Sequence, residues 1–383
     1  KTLVYAYNAV IDSTGNPFGS SVPWDQNLLK DLENRIKLTY DQDKIIKSLY
    51  RPFTKQWFYY DEKLIHEVAR MSSLFPLISK RENLLICVKG RGGSKAFSCL
   101  ITDSVIDLNS IGATQCFPLY WYENLSKTRI KNKQPSLFDN SEDFIRHDGI
   151  SDYALGVAQS KYGSTVSKED IFFYVYGFLH SPEYREIFSD DLKLSLPRIK
   201  FIDEPKIFWE FSKAGRDLAE LHLKYEEVEP PESLRYKGDV QEMLRNPTLC
   251  RTEGMKLDED ERKLVYNGHL TIENIPKEAF EYVVNGRSAL GWLVDQYKYT
   301  THTESDITNN PNDYGGGQYI LRLVLSVIGM SVKTTEIVNS LPKMEFYESS
   351  GQALLQPLRP LTARNDDRPA IQGDTHIASP VDD

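Results

Sequence analysis

The chain has 383 residues, 40% of them hydrophobic and 26% charged, which is ordinary for a globular protein and long enough for two domains. Its formal net charge of −9 argues against a protein that coats nucleic acid with its whole surface, although a local basic face is compatible with that total. No apolar run approaches the ~20 residues that a membrane-spanning helix needs. No basic stretch followed by an apolar one opens the chain, so we expect no secretory signal.

The four cysteines, Cys87, Cys99, Cys116 and Cys250, lie far apart and include no CxxC pair. This spacing disfavours a zinc site and a disulfide framework, so we expect a reducing, cytoplasmic setting. The chain starts at Lys1 without an initiator methionine. We therefore expect it to be a piece of a longer polypeptide.

The first fifty residues predict a strand followed by two helices. Leu3–Tyr7 is typical of a strand, and the Gly/Pro/Ser-rich stretch Ser13–Pro23 predicts a turn region after it. Asp25–Tyr50 carries apolar residues at helical spacing, which predicts two helices with a break near Thr39–Asp43.

An aromatic stretch, Ser48–Asp61, is the most distinctive local feature of the chain. It gathers six aromatic residues, one of them a tryptophan, around Arg51 and Pro52. The proline ring fixes the backbone φ angle there. Aromatic side chains combine a large apolar surface with a polar tip, so they suit cores and contact surfaces alike. Two interpretations stay open, a structural elbow and an aromatic and basic cluster that faces nucleic acid.

The middle of the chain passes from strands to helices. Asn83–Tyr122 contains several short apolar runs that predict strands, and the polar Glu123–Glu142 predicts a loop. Ser167–Asp170 resembles a capping box, and Ser181 followed by Pro182 is typical of a helix start. Pro205–Tyr225 repeats apolar residues on one face and predicts a long amphipathic helix.

The last third of the chain predicts a second mixed region and a polar tail. Lys263–Ile275 predicts a strand pair, Pro276–Tyr297 two helices joined at Asn285-Gly286, and Gln318–Leu341 another apolar helix. Gln352–Asp383 is polar and proline-containing, so we expect disorder there. The whole chain therefore predicts an α+β fold.

Three stretches combine backbone freedom or cationic groups in a way that suits DNA. Glycines in Gly90–Lys95 would let the backbone approach a phosphate, but a plain turn between strands would use them too. The basic run Lys127–Lys133 could follow a phosphate backbone, but it could equally be solvated surface. Asn and Arg in Asn285–Ser288 could read base edges, although an Asn-Gly pair also suits an ordinary turn. The residues that we predict to contact DNA are Lys89, Arg91, Ser94, Lys95, Arg129, Lys131, Asn285 and Arg287.

Catalytic patterns are missing from the sequence. The seven histidines are scattered, and we interpret His180 and His222, at the ends of apolar helical faces, as structural. Asn310–Tyr314 resembles the Asn-Pro-Pro-Tyr motif of adenine methyltransferases but lacks its second proline, and no glycine-rich cofactor loop precedes it. We therefore predict no catalytic residue, no metal site and no cofactor for this segment.

Several of these stretches, in this order, together resemble the C-terminal specificity region of type ISP restriction-modification enzymes. The resemblance runs from about Trp24 to Pro342, and each short piece is far less specific than the ordered set. The stretches that carry it are Ser48–Phe53, Trp57–Tyr60, Gln115–Tyr120, Tyr174–Pro182, Leu196–Ile199, Gly215–His222 and Tyr282–Leu290.

The resemblance implies a target-recognition domain with a mixed β-sheet and a helical spacer, held in one polypeptide with nuclease, ATPase and adenine methyltransferase regions. It implies a helical lead-in over residues 1–47, a β-rich recognition part over 48–149 and a helical spacer over 150–228. A second α/β part would occupy 229–345, and a disordered tail 346–383. Double-stranded DNA and the upstream domains would be its partners. The longer enzyme would use S-adenosylmethionine, ATP and Mg²⁺.

Two other interpretations stay open at this point. The chain could be a catalytic fragment of an adenine-N6 methyltransferase, which would bind S-adenosylmethionine by itself. It could also be a docking scaffold that contacts only the rest of its own polypeptide.

Overall fold

The helices and strands of the chain alternate in a way that sequence spacing only partly predicts. A computed structural model describes residues 1–13, 22, 24–65, 70–76, 82–92, 96–125, 144–302, 307–313 and 315–344. Residues 1–343 form one compact unit. The predicted disordered tail lies outside the described residues.

Helices are spread along the whole described chain. They are α1 Thr2–Asp12, α2 Gln26–Glu33, α3 Met71–Leu74, α4 Asp152–Tyr162, α5 Lys168–Phe178, α6 Pro182–Ile187, α7 Asp191–Leu194, α8 Pro205–Leu223, α9 Val240–Arg245, α10 Glu278–Glu281, α11 Ala289–Gln296 and α12 Gly316–Asn339. None of those in the described ranges is long and apolar enough to cross a bilayer.

The strands are short and form several small sheets. They are β1 Ile45–Arg51, β2 Thr54–Tyr59, β3 Leu85–Val88, β4 Cys99–Thr102, β5 Val105–Ile106, β6 Gln115–Pro118, β7 Tyr120–Asn124, β8 Phe144–Asp148, β9 Arg235–Lys237, β10 Lys256–Asp258, β11 Lys263–Val265, β12 Thr271–Glu273, β13 Val283–Val284, β14 Arg287–Ser288, β15 Thr300–His302 and β16 Ile307–Asn309.

The strand pairing is mostly antiparallel. The sheets have the orders β2-β1-β5, β4-β3-β6 and β10-β11-β12-β9, and the pairs β7-β8, β13-β14 and β15-β16 stand as ribbons. Only the short contact of β1 with β5 is parallel among the described strands. With helices set apart from small mixed sheets, the predicted α+β class is confirmed.

The start of the chain is a helix, so the predicted strand at Leu3–Tyr7 is wrong. Val4, Tyr7 and Val10 are buried at intervals of three, which is the period of a helix face. They pack with Leu28 and Leu32 of α2 in a small hydrophobic cluster of their own. Packing against α2 therefore overrides the strand preference of the local residues.

The second predicted helix of Asp25–Tyr50 is also wrong, because its last residues form strand β1. Ile45 pairs with Tyr59 and Leu49 with Lys55 across the β1–β2 hairpin. A short apolar run with β-branched residues fits both element types, and the partner strand decides between them. The first helix of that stretch, α2, is confirmed and is capped by Asp25.

The helical middle follows the sequence closely. Ser167 and Asp170 form the predicted capping box at the start of α5, and Ser181 caps α6 ahead of Pro182. The predicted amphipathic helix is α8. Helices α5 and α8 pack closely because neither carries a side chain at the crossing, where Gly177 faces Gly215.

One large hydrophobic cluster joins the β-rich part to the last third of the chain. Leu49 and Leu85 from the first sheets lie in the same cluster as Leu264 and Tyr266 from the β10–β12 sheet. Helix α12 runs through it, and the apolar side chains between Ile320 and Met330 are fully or almost fully buried. The predicted recognition parts 48–149 and 229–345 thus share a core, while their boundaries stay a prediction.

Candidate nucleic-acid interface

The β7–β8 ribbon presents an exposed aromatic face. Trp121 stacks on His147 with ring centroids 4.0 Å apart, and His147 Nε2 lies 3.1 Å from a carboxylate oxygen of Glu123. The three share one face, because Trp121 pairs with His147 and Glu123 with Ile145 in the antiparallel register. Trp121 and Ile145 are 38% and 43% exposed, which leaves this face uncovered in the described chain.

The opposite face of the same ribbon packs against the rest of the domain. The Tyr120 hydroxyl donates to a Glu169 carboxylate oxygen at 2.6 Å, which fixes the ribbon to the start of α5. The guanidinium of Arg146 lies over the Tyr120 ring at 4.3 Å. At the ribbon base, the Asn83 side chain bonds to both the amide and the carbonyl of Tyr120.

The predicted basic run lies between the two strands of this ribbon. Strand β7 ends at Asn124 and β8 begins at Phe144, so Arg129 and Lys131 belong to the connection between them. Residues 126–143 lie outside the described residues. A two-stranded ribbon is one of the elements that the major groove of B-DNA admits.

The glycine-rich turn follows strand β3, the central strand of its sheet. Arg91 is exposed, whereas Lys89 is only 9% exposed and its backbone amide donates to the Ser98 carbonyl at 3.1 Å. Gly90 must be a glycine, because a Cβ there would lie 2.2 Å from the Ala113 carbonyl oxygen. Arg91 is thus the better placed of the two for a phosphate contact, while Ser94 and Lys95 lie outside the described residues.

The Asn285-Gly286 pair is the turn of the β13–β14 hairpin and not a link between two helices, so that prediction is wrong. Asn285 and Gly286 have φ angles of 51° and 78°, the pair of positive values that a two-residue type I′ turn requires. Arg287 pairs with Asp295 at 2.7 Å and lies over the Trp292 ring. Its guanidinium is thus already held on the domain surface.

Ser98 brings two of the predicted stretches together. Its carbonyl accepts from the Lys89 amide, and its hydroxyl accepts from the Asn285 amide at 2.7 Å, across 187 residues of sequence. The fold therefore places the Gly90 turn beside the β13–β14 hairpin. The Oδ1 atom of Asn285 is buried there without a hydrogen-bond partner among the described residues.

The aromatic stretch Ser48–Asp61 forms the β1–β2 hairpin. Its turn residue Phe53, at φ 57°, inserts its ring edge-on against Tyr225 and Tyr282. Arg51 stacks on Tyr50 and pairs with Asp107 at 2.7 Å. These contacts favour the elbow interpretation, although Trp57 on β2 stays 63% exposed.

The histidines that we interpret as structural are buried in one polar chain. The His222 ring bonds to the Tyr176 hydroxyl at 2.6 Å and to the Thr334 hydroxyl at 2.9 Å. Burial lowers the pKa of His222 to about 3, and burial together with Arg185 lowers the pKa of His180 well below its usual 6.5. Both rings are therefore neutral at physiological pH, and the His222 ring ties α5 and α8 to α12.

The methyltransferase-like stretch also has a structural use. Pro311–Asp313 is a single 3₁₀ turn, and the Asn312 side chain donates to the Thr252 carbonyl and accepts from the Thr252 amide. Within the described ranges there is no group of three acidic, histidine or cysteine residues that could hold a metal ion.

A polar cleft that local sequence signals did not indicate lies between β2, the end of α11 and β16. Its volume is about 320 Å³. Four carboxamide side chains line it, from Gln56, Gln296, Asn309 and Asn310. They come from distant parts of the chain, so no spacing rule could have grouped them.

A family model decides what kind of domain this is. The model of the Type ISP C-terminal specificity domain matches residues 3–323. The chain belongs to this family. The match confirms the resemblance drawn from the ordered motifs, and it covers nearly all of the compact unit.

Solved structures of Type ISP enzymes are similar over most of the chain. The ATP-dependent Type ISP restriction-modification enzyme LlaBIII bound to DNA is 31% identical with a TM-score of 0.74. A nuclease-deletion mutant of the Type ISP enzyme LlaGI in complex with a DNA substrate mimic is 30% identical with a TM-score of 0.71. A DrdV–DNA complex is 28% identical with a TM-score of 0.73.

Each likeness covers 90% of this chain but only 22%, 31% and 33% of the three larger chains in turn. This chain therefore corresponds to about a fifth to a third of those chains. No curated protein sequence matches the chain.

Proposed function

We propose that this chain recognises a specific sequence in double-stranded DNA. In this role it directs adenine-N6 methylation and ATP-driven translocation and cleavage by the upstream domains of a longer restriction-modification enzyme. The family match over residues 3–323 carries the proposal. Three similar structures that contain DNA support it.

The β7–β8 ribbon is the element that we propose to enter a groove. Its exposed Trp121–His147 face and the basic run between its strands combine an aromatic surface with cationic groups. Phosphate contacts would fix the position of the domain, and base-edge contacts would supply specificity. Arg91, beside the β13–β14 hairpin, would add a further phosphate contact.

The upstream domains complete the proposed activity. We propose that they, and not this chain, bind S-adenosylmethionine, ATP and Mg²⁺. The four cysteines are free thiols, which supports a cytoplasmic setting. A catalytic fragment of an adenine methyltransferase is not favoured, because the family match is to a specificity domain.

Binding of the chain to random duplexes at several salt concentrations tests the proposal. The logarithm of the binding constant should fall linearly with the logarithm of salt concentration, with a slope of about −0.9 for each phosphate contacted. Selection should also enrich one sequence over the non-specific background. Binding that is indifferent to both salt and sequence would contradict the proposal.

The basic run can be tested separately with a matched pair of variants. Arg129→Gln with Lys131→Gln should reduce the salt slope by about 2, because each removed cation leaves one phosphate with its counterion. Lys206→Gln with Lys213→Gln is the control, because these lysines are 85% and 79% exposed on α8 and belong to the helical part. If the two double variants show the same salt dependence of binding, the connection between β7 and β8 is not part of the DNA interface.

A further inference from the structure

The polar cleft between β2, α11 and β16 contains more hydrogen-bonding groups than the fold uses. Its two charged side chains are already engaged. Lys55 pairs with Glu226 at 2.9 Å, and the Asp313 carboxylate accepts from the Asn310 side-chain amide at 2.9 Å. Glu226 thus neutralises Lys55, whereas Asp313 keeps its negative charge in the cleft.

The other polar side chains that line the cleft divide into those that form hydrogen bonds within the protein and those that do not. The Asn310 oxygen accepts from both the backbone and the side-chain amide of Asn312, so the oxygen and the nitrogen of the Asn310 carboxamide each have a partner. Thr54 donates to the Pro52 carbonyl, and Thr308 shares a hydrogen bond with Thr301. These side chains hold the cleft together.

The carboxamides of Gln56, Gln296 and Asn309 are different, because none of them forms a side-chain hydrogen bond within the described part of the chain. They lie on β2, on the last turn of α11 and on the last residue of β16. Three separate elements therefore bring three unused carboxamides to one concave surface of about 320 Å³. That volume is at the lower end of roughly 300–1,000 Å³, the usual range for ligand sites.

We propose that these three carboxamides form a base-reading site that recognises the edge of an adenine in the target DNA. The inference rests on the proposed function and adds the residues and the base. A primary carboxamide presents one acceptor and two donors, which match the amino group and N7 of adenine bidentately. A cleft lined by lysine or arginine would instead favour guanine, and Lys55 is withheld by Glu226.

The test starts with selection of binding sites from random duplexes by the wild-type chain. The triple variant Gln56→Met, Gln296→Met, Asn309→Leu keeps side-chain size but removes the hydrogen-bonding groups. It should lose discrimination at one adenine position by roughly 10- to 100-fold, while the other positions of the motif stay unchanged. Gln241→Met, exposed on α9, is the matched control and should leave the motif intact.

Base analogues give the same test at the level of atoms. Replacing the recognised adenine by 7-deazaadenine removes N7, and it should weaken wild-type binding by roughly 10-fold and that of the triple variant by less than 2-fold. Circular dichroism and salt-dependent non-specific binding of the variant should match the wild type, which shows that it is folded.

The outcomes separate the inference from the proposed function. If the wild type selects a motif and the triple variant selects the same motif equally strongly, the base-reading site is overturned and the proposed function stands. A motif without adenine would overturn the site in the same way. If the wild type selects no motif at all, both proposals fail.

Discussion

Gly177 and Gly215 set the distance between helices α5 and α8 by having no side chain. A Cβ at Gly215 would lie 1.9 Å from the Phe173 carbonyl oxygen, and a Cβ at Gly177 would lie 2.3 Å from that of Phe211. Both obstacles are backbone atoms, which cannot move aside as a flexible side chain can. The two helices can therefore approach only because both residues are glycine.

We predict that Gly215→Ala destabilises the protein by about 1–3 kcal/mol or more, because the helices must separate to admit the methyl group. Gly156→Ala is the matched control, since Gly156 also lies within a helix but a Cβ there meets nothing within 4 Å. Alanine at that position should be neutral or stabilise by up to about 1 kcal/mol. Urea unfolding measures both, and equal effects would contradict the close-approach argument.

The buried histidines make stability depend on pH. The folded pKa of His222 is about 3, below the ordinary value of 6.5. Below pH 6.5 the unfolded chain therefore binds a proton that the folded chain excludes. The stability contributed by neutral His222 is complete above pH 6.5 and is lost as the pH falls towards 3.

We predict that the stability difference between the wild type and His222→Gln shrinks by about 2–3 kcal/mol between pH 6.5 and 4.5, since each pH unit corresponds to about 1.4 kcal/mol. Measurement at pH 8 gives the cost of the missing packing and hydrogen bonds alone. Thermal or urea unfolding of the two proteins at pH 8, 6.5 and 4.5 measures these differences in stability. A difference that does not change with pH would show that His222 accepts a proton in the folded state.

At the scale of elements, local signals succeeded where a cap or a long period was present. The capping box at Ser167, the Ser181-Pro182 start and the long apolar period of α8 each predicted a helix that the structure confirms. They failed for α1 and β1, which are short apolar runs whose type is decided by the neighbouring element that packs or pairs with them. The Asn285-Gly286 pair was recognised as a turn, but the two-residue strands on either side are too short to give a period.

We predict that Gly286→Ala destabilises the protein by about 1–2 kcal/mol, because a left-handed backbone at φ 78° strains any residue with a Cβ. Gly268→Ala serves as the control, as Gly268 has open space around it and is not among the positive-φ glycines. Equal urea midpoints for the two variants would contradict the type I′ turn.

At the scale of the whole molecule, the order of motifs predicted the family, but the site depends on contacts that no motif contains. Ser98 joins the Gly90 turn to Asn285, and the cleft collects Gln56, Gln296 and Asn309 from three elements. Such groupings arise from long-range packing and leave no periodic trace in one sequence. The predicted DNA contacts, including those at Arg129 and Lys131, stay predictions.

We predict that a fragment of residues 48–149, the β-rich part, does not fold cooperatively. Leu49 and Leu85 would be without Leu264, Tyr266 and the buried face of α12, which complete their hydrophobic cluster. Leaving this much apolar surface exposed removes the main favourable term in folding. Heat-capacity measurements on the fragment and on the full chain would decide, and a sharp transition in the fragment would show that the β-rich part is independent.

The shared core has a consequence for how specificity could be exchanged between relatives. A recombination point near residue 149 or 229 would join parts of two hydrophobic cores that have not been selected to fit together. The contact between α5 and α8 would be unaffected, because both helices come from the same parent. Recombination, natural or designed, would therefore transfer a recognition sequence most readily as one continuous block of this fold. Smaller changes of specificity would come from substitutions at exposed positions, such as those on the β7–β8 ribbon, which leave the core untouched.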